Sequence, residues 1–127
     1  MYSKMRWRLL QMFNLESNCS VYLIPGYTDM RKGILTLSQL ANSIVDNKFF
    51  SGSLFIFCSK RKDTLKIVYW DMNGFCMWQK KLDKDRFWWP KESSEVKEVS
   101  IQQLRWMLDG LNPLEVNGYR SLNYQTI

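Results

Sequence analysis

Leu54-Phe55-Ile56-Phe57-Cys58, Ser59-Lys60-Arg61-Lys62-Asp63, Thr64-Leu65-Lys66-Ile67-Val68-Tyr69-Trp70, Asp71-Met72-Asn73-Gly74 and Phe75-Cys76-Met77-Trp78-Gln79-Lys80-Lys81-Leu82 follow one another without a break, and this stretch decides the fold. The first segment is a continuous apolar run, short and rich in strand formers, and reads as a buried strand. The second is a polar, basic tip. The third is a strand built on β-branched and aromatic residues. The fourth is a hairpin turn, because Asn-Gly accepts the positive φ angles of primed turns. The fifth returns as a strand. Three strands joined by two tight turns make an antiparallel meander.

The turn is either Asn73-Gly74 as a two-residue loop or residues 71–74 as a four-residue loop. Both registers pair odd positions with even ones, so the faces are the same. One face carries Leu65, Ile67, Tyr69, Cys76, Trp78, Lys80 and Leu82 and is the core face, with Lys80 as its exception. The other carries Lys66, Val68, Trp70, Phe75, Met77, Gln79 and Lys81. On that second face the aromatics either pack under a helix or the N-terminal segment, or stay open to a partner.

Working outward, Ser20 to Pro25 reads as a short strand stopped by Pro25-Gly26. Thr28 or Asp29 can cap a helix, and Met30, Ile34, Leu37, Ala41, Ile44 and Val45 share a helical face. The spacing predicts a helix over 30–46, with Gly33 a weak point. Residues 83–90 are a connector or edge strand ended by Pro90, and 96–99 form a further short strand. Ser100 caps a helix over 101–109 that Gly110 closes, with Ile101, Leu104, Met107 and Leu108 facing inward. Residues 2–13 suit a short basic amphipathic helix within a basic N-terminal extension, 1–19, and residues 112–127 read as a loose tail. The expected architecture is a single α+β domain over 20–111. It is a small antiparallel β-meander of three to five strands packed with two helices.

The chain has 127 residues, a length that suits one domain with its own core. Hydrophobic residues are 46%, too many for a disordered chain. No apolar run is long enough to cross a bilayer, and the opening residues lack the pattern of a signal peptide. A cytoplasmic protein is expected. Cys19, Cys58 and Cys76 are odd in number and far apart, so they read as free thiols. There is no histidine, which excludes Ser-His-Asp and Cys-His machinery and any histidine-held metal. Neither a cofactor nor a metal is expected.

The net charge is +6 and it is clustered. Lys4, Arg6 and Arg8 stand near the N-terminus without an acid. Lys60, Arg61, Lys62 and Lys66 surround Asp63, and Lys80, Lys81, Lys84 and Arg86 surround Asp83 and Asp85. Clustered base with interleaved aromatics is the footprint of a nucleic-acid binder. Phe87, Trp88 and Trp89 cannot all face one way in an extended segment. They are a stacking platform, a protein contact or a clasp over the domain's own core.

Thr28-Asp29-Met30-Arg31-Lys32-Gly33, Phe55-x-Phe57, Arg61-x-Asp63-x-x-Lys66, Trp70-Asp71-x-x-Gly74-Phe75, Lys80-Lys81-Leu82-Asp83 and Phe87-x-Trp89-Pro90 occur in that order. Over residues 20–111 the chain thereby resembles the TnpB accessory proteins, or second open reading frame products, of insertion sequence sixty-six elements. These are distinct from the RNA-guided nuclease that shares the label. Where this chain has Lys80-Lys81-Leu82-Asp83, the family usually has Lys-Arg-Leu-Glu. The charge is kept, but a lysine lacks the bidentate fork of an arginine. The N-terminal stretch is longer than usual, and the tail after Pro113 lies outside the resemblance.

The resemblance implies a small protein that supports transposition beside a large element-encoded transposase that does the strand chemistry. Two functions are compatible with that. One is DNA binding through Arg31, Lys32, Lys60, Arg61, Lys62, Lys66, Lys80 and Lys81, each adding salt-dependent affinity. The other is an adaptor that docks on the transposase, with Phe87, Trp88 and Trp89 as contact anchors and an acidic helix face at Glu98, Gln102 and Asp109. Asp29 reads as a structural residue, capping the helix and pairing with Arg31 or Arg61. Asp29, Asp63, Asp71, Asp83 and Asp85 are the carboxylates a metal-assisted enzyme would need, and nothing groups them. Catalysis, a membrane and a small-molecule substrate are not expected.

Overall fold

The computed structural model describes residues 20–45 and 52–113. The expected helix at 2–13, Cys19 and most of the tail lie outside the described residues. In chain order the elements are β1 (Val21–Leu23), α1 (Ile34–Ile44), β2 (Leu54–Cys58), β3 (Thr64–Asp71), β4 (Gly74–Lys81), β5 (Lys97–Val99) and α2 (Ile101–Leu108). The strands form one five-stranded sheet in the order β4-β3-β2-β1-β5.

The β2-β3-β4 meander is present as expected, antiparallel throughout. The sheet as a whole is mixed, because β1 pairs with β2 in parallel, Val21 opposite Leu54. The physical reason is α1. A helix between two strands carries the chain back to the end where it started, so the second strand runs alongside the first in the same direction. β5 then adds to the outer edge of β1 antiparallel, Val21 opposite Val99.

The turn resolves in favour of the register in which Trp70 faces Phe75 and Asp71 faces Gly74. The loop residues are therefore Met72-Asn73, and the positive φ falls on Met72, not on Asn73-Gly74. The Asn73 N–H donates to the Asp71 carbonyl and closes the turn.

Alternation sorts the side chains into two cores. On one face Tyr22, Ile24, Phe55, Phe57 and Val68 are buried with Leu37 and Ala41 of α1, and Trp70 and Met77 pack at their margin. On the other, Val21, Leu23, Leu54, Ile56, Cys58, Leu65, Ile67 and Val99 are buried with Ile101, Leu104 and Met107 of α2. β2 lies at the centre and is covered on both sides, which is why Leu54–Cys58 is apolar at every position.

The helix boundaries show how capping decides length. α1 begins at Ile34, not at residue 30, and its N-cap is Gly33 without a side-chain hydrogen bond. Asp29 does not cap it, because its carboxylate is taken by Arg31. α2 begins where expected. Ser100 Oγ accepts from the Gln103 N–H, and the Gln103 side chain accepts from the Ser100 N–H. This reciprocal pair satisfies two otherwise orphaned donors and is worth about 1 kcal/mol or more.

Candidate nucleic-acid interface

Strand directions determine which loops meet. β1, β2 and β4 run one way and β3 and β5 the other. Residues 24–33, 59–63 and 82–96 therefore share one end of the sheet. Residues 52–53, 72–73 and Ser100 share the opposite end. Among the described residues the far-end loops carry no Lys or Arg, and their most prominent side chain is Met72, 91% exposed. The near end carries Arg31, Lys32, Lys60, Arg61, Lys62, Lys84, Arg86 and Lys91, with Lys81 at the adjoining strand end. The acids Asp29, Asp63, Asp83, Asp85, Glu92 and Glu95 share that end.

The β2–β3 tip is built to face its cations outward. Ser59 Oγ donates to Asp63 Oδ1 at 3.0 Å and accepts from the Asp63 and Thr64 N–H groups at 3.2 and 3.1 Å. Thr64 Oγ1 donates to the same carboxylate oxygen at 3.0 Å. Asp63 is thus folded inward. The Ser59 hydrogen bond, more than any other influence, holds its carboxyl below the usual carboxylate range. The backbone turns through Lys62, whose φ is +62°. Lys60, Arg61 and Lys62 are left exposed with no carboxylate bound to them among the described residues.

Beside the tip, the segment after β1 holds an exposed fork. Arg31 Nη2 donates to Asp29 Oδ2 at 2.7 Å, and Nε contacts both carboxylate oxygens at 3.0 and 3.1 Å. The Arg31 N–H adds a fourth bond at 2.9 Å. The guanidinium hydrogen bonds hold the Asp29 carboxyl down to about 2. Asp29 and Arg31 therefore neutralise each other, and the pairing of Asp29 with Arg31 is the alternative realised.

Two of the expected phosphate contacts turn inward. Lys66 is 7% exposed, and its Nζ donates to the Met30 and Lys32 carbonyls at 2.7 and 3.1 Å. Its place on β3, opposite Phe57 and Gln79, aims the amine under the 28–33 loop. Lys80 is half-buried, and its Nζ donates to the Leu108 carbonyl at 2.7 Å. That carbonyl lies at the negative end of the α2 dipole, a favourable partner for a cation. This explains a lysine on the core face. Arg31, Lys32, Lys60, Arg61, Lys62 and Lys81 remain exposed.

Of the three readings for Phe87, Trp88 and Trp89, the burial of these residues matches the clasp over the domain's own core. Phe87 and Trp89 are 2% and 5% exposed and belong to the core under α2, and Trp88 is half-buried against it. Trp89 Nε1 donates to the Ile24 carbonyl at 3.0 Å. The connector is a clasp. Leu82 N–H reaches the Asp63 carbonyl at 2.7 Å, Phe87 N–H the Lys62 carbonyl at 2.7 Å, and the Pro90 carbonyl accepts from Gly26 N–H at 3.2 Å. It must cross from β4 at one edge of the sheet to β5 at the other, and the aromatic rings seal the core along the way.

One exposed aromatic at this end carried no signal in the motif reading. Tyr27 follows Pro25-Gly26 directly and stands beside the tip, with Lys60 Nζ 5.5 Å from its ring centroid. Among the described residues no group of three or more Cys, Asp or Glu side chains is placed to hold a metal ion. No helix among them is long and apolar enough to cross a membrane.

The architecture defines a small α+β protein with a helix on each face of a mixed sheet and, among the described residues, its loop cations gathered at one end. A family model described as IS66 Orf2-like protein matches residues 19–118, and the chain belongs to that family. It is 32% identical over 95 residues to an uncharacterized protein, y4hO, of Sinorhizobium fredii (strain NBRC 101917 / NGR234). That alignment covers 75% of this chain and 83% of the relative. A second uncharacterized protein of the same strain, y4jC, is 29% identical over 84 residues, covering 66% of this chain and 72% of the relative. No solved structure matches at a significant level. Membership supports an accessory role in transposition of an insertion sequence, in a family not known as catalytic.

Proposed function

We propose that this protein is a non-catalytic transposition factor that binds DNA directly, with Lys60, Arg61 and Lys62 as its main phosphate contacts and Lys32 and Lys81 beside them. The observation that carries this reading is the outward-facing cationic tip, whose one carboxylate, Asp63, is tied back by Ser59 and Thr64. Such a tip neutralises phosphates and releases counterions without reading sequence. The element's transposase is the partner beside which it acts on the DNA.

Fluorescence anisotropy of the purified protein with an element-end duplex and a scrambled duplex, across a salt series, tests the reading. Binding at micromolar concentration or tighter is expected, with a steep negative slope of log affinity on log salt. The Lys60→Ala/Arg61→Ala/Lys62→Ala variant should flatten that slope by about 2–3, since each lost phosphate contact removes about 0.9. An absence of binding at low salt would refute direct contact. The role would then be that of an adaptor docked on the transposase.

A further inference from the structure

We propose that Tyr27 is a stacking platform for an unpaired base, so that the basic end takes single-stranded or frayed DNA in preference to intact duplex. This rests on the DNA-binding reading above and adds the class of nucleic acid. Tyr27 is 58% exposed although Lys60 lies over its ring. A base inside a duplex has both faces stacked on its neighbours. Apart from the two terminal pairs of a duplex, only an unpaired base offers a face to a surface ring, and such stacking tolerates any sequence.

The ring is also held in place. Ile24 N–H donates to the Ile56 carbonyl at 3.0 Å, Gly26 N–H to the Pro90 carbonyl at 3.2 Å, and Thr28 N–H to the Cys58 carbonyl at 2.8 Å. The backbone is therefore pinned on both sides of Tyr27, to the clasp before it and to the end of β2 after it. Gly26, at φ +76°, lies so close to Glu92 that a Cβ there would stand 3.0 Å from the Glu92 Cβ. A tyrosine has only two side-chain torsions to order, and on a fixed backbone it presents its ring at low entropic cost.

The charges around it suit a strand passing over the ring. Lys60 is within reach of a phosphate flanking the stacked base, with Arg61 and Lys62 next along the tip. Of the two acids nearby, Asp29 is neutralised by the Arg31 fork and so opposes a phosphate little, while Glu92 stands against Gly26 on the clasp side of the ring. Base stacking on one ring and cations along the backbone together make the general single-strand mode of binding.

The test compares a 20-nucleotide oligothymidine with a blunt 20-base-pair duplex by anisotropy at one salt concentration, using the full chain. Tyr27→Ala is expected to weaken oligothymidine binding about tenfold, the effect of losing one stacked base, and to leave the duplex within twofold. Tyr27→Phe keeps the ring and should match the parent. The Lys60→Ala/Arg61→Ala/Lys62→Ala variant should weaken both ligands. Equal effects of Tyr27→Ala on both ligands, no effect on either, or a loss in Tyr27→Phe would overturn the stacking role while leaving DNA binding standing. A parent protein that binds neither ligand refutes the underlying reading and this one with it. Unchanged circular-dichroism melting of Tyr27→Ala separates these outcomes from misfolding.

Discussion

Lys66 is the residue at which the motif reading and the structure differ most sharply, and its replacement by methionine separates the two. The amine donates to two backbone carbonyls, Met30 and Lys32, and holds the 28–33 loop against the sheet. Hydrogen bonds from a charged donor are each worth roughly 1.5–3 kcal/mol. Methionine keeps the apolar stem and avoids the cost of desolvating an ammonium, which is several kcal/mol. The freed carbonyls belong to a half-exposed and an exposed residue, so water replaces part of what is lost. The net destabilisation expected is about 1–2 kcal/mol, or a Tm lowered by about 3–8 °C in a domain of this size. Thermal melting measures it. Amide exchange supplies the local reading, because the Lys32 N–H, bonded to the Asp29 carbonyl at 3.1 Å, should exchange faster. The DNA salt slope should not change, whereas Lys60→Met should lower it by about 0.9. A Lys66→Met protein with the parent's Tm and a slope lowered by about 0.9 would refute the structural role and restore Lys66 to the phosphate contacts.

Three further outcomes are expected. Gly26→Ala should destabilise by about 1–2 kcal/mol for the left-handed backbone alone, and by more because of Glu92. Gly110→Ala has a similar φ of +86° and nothing within 4 Å of the added Cβ, so a difference between their denaturation midpoints isolates the clash. The Asp29 carboxyl should titrate by NMR near 2 and move back toward 3.8 in Arg31→Gln. Because its folded pKa is depressed, what the pair adds to stability is fully present above about 3.8 and lost as pH falls through about 2. Cys58 is buried and its thiol is pushed up to about 12 by desolvation, so peptide mapping should find it unalkylated by iodoacetamide at pH 8 in the folded protein and modified once denatured. Alkylation of Cys58 in the native state would show that β2 is not the covered central strand.

Much of this architecture is written locally. The continuous run Leu54–Cys58, the alternation through Thr64–Trp70 and Phe75–Lys81, and the Ser100/Gln103 cap each depend on neighbours within a few residues. Period and capping chemistry suffice to read them. The parity of the hairpin likewise gave correct faces, with Trp70 and Met77 under α1 and Ile67 in the other core. The family resemblance also lay in the ordered motifs, and the family match bears it out.

What the sequence left open depends on partners distant along the chain. Nothing local says that β1 pairs with β2 in parallel, because that follows from where a helix returns the chain. A lysine looks the same whether it faces solvent or a carbonyl 34 residues away, as Lys66 does at Lys32, or 28 residues away, as Lys80 does at Leu108. Phe87-Trp88-Trp89 reads equally as an anchor or a clasp until the crossing from one sheet edge to the other is known. Tyr27 gains its place only when strands separated in sequence bring its loop beside Lys60. Local chemistry determined the elements and their faces. The tertiary structure decided which charges and rings are committed to holding the protein together and which remain free at its surface, because burial and hydrogen bonding are properties of the assembled chain.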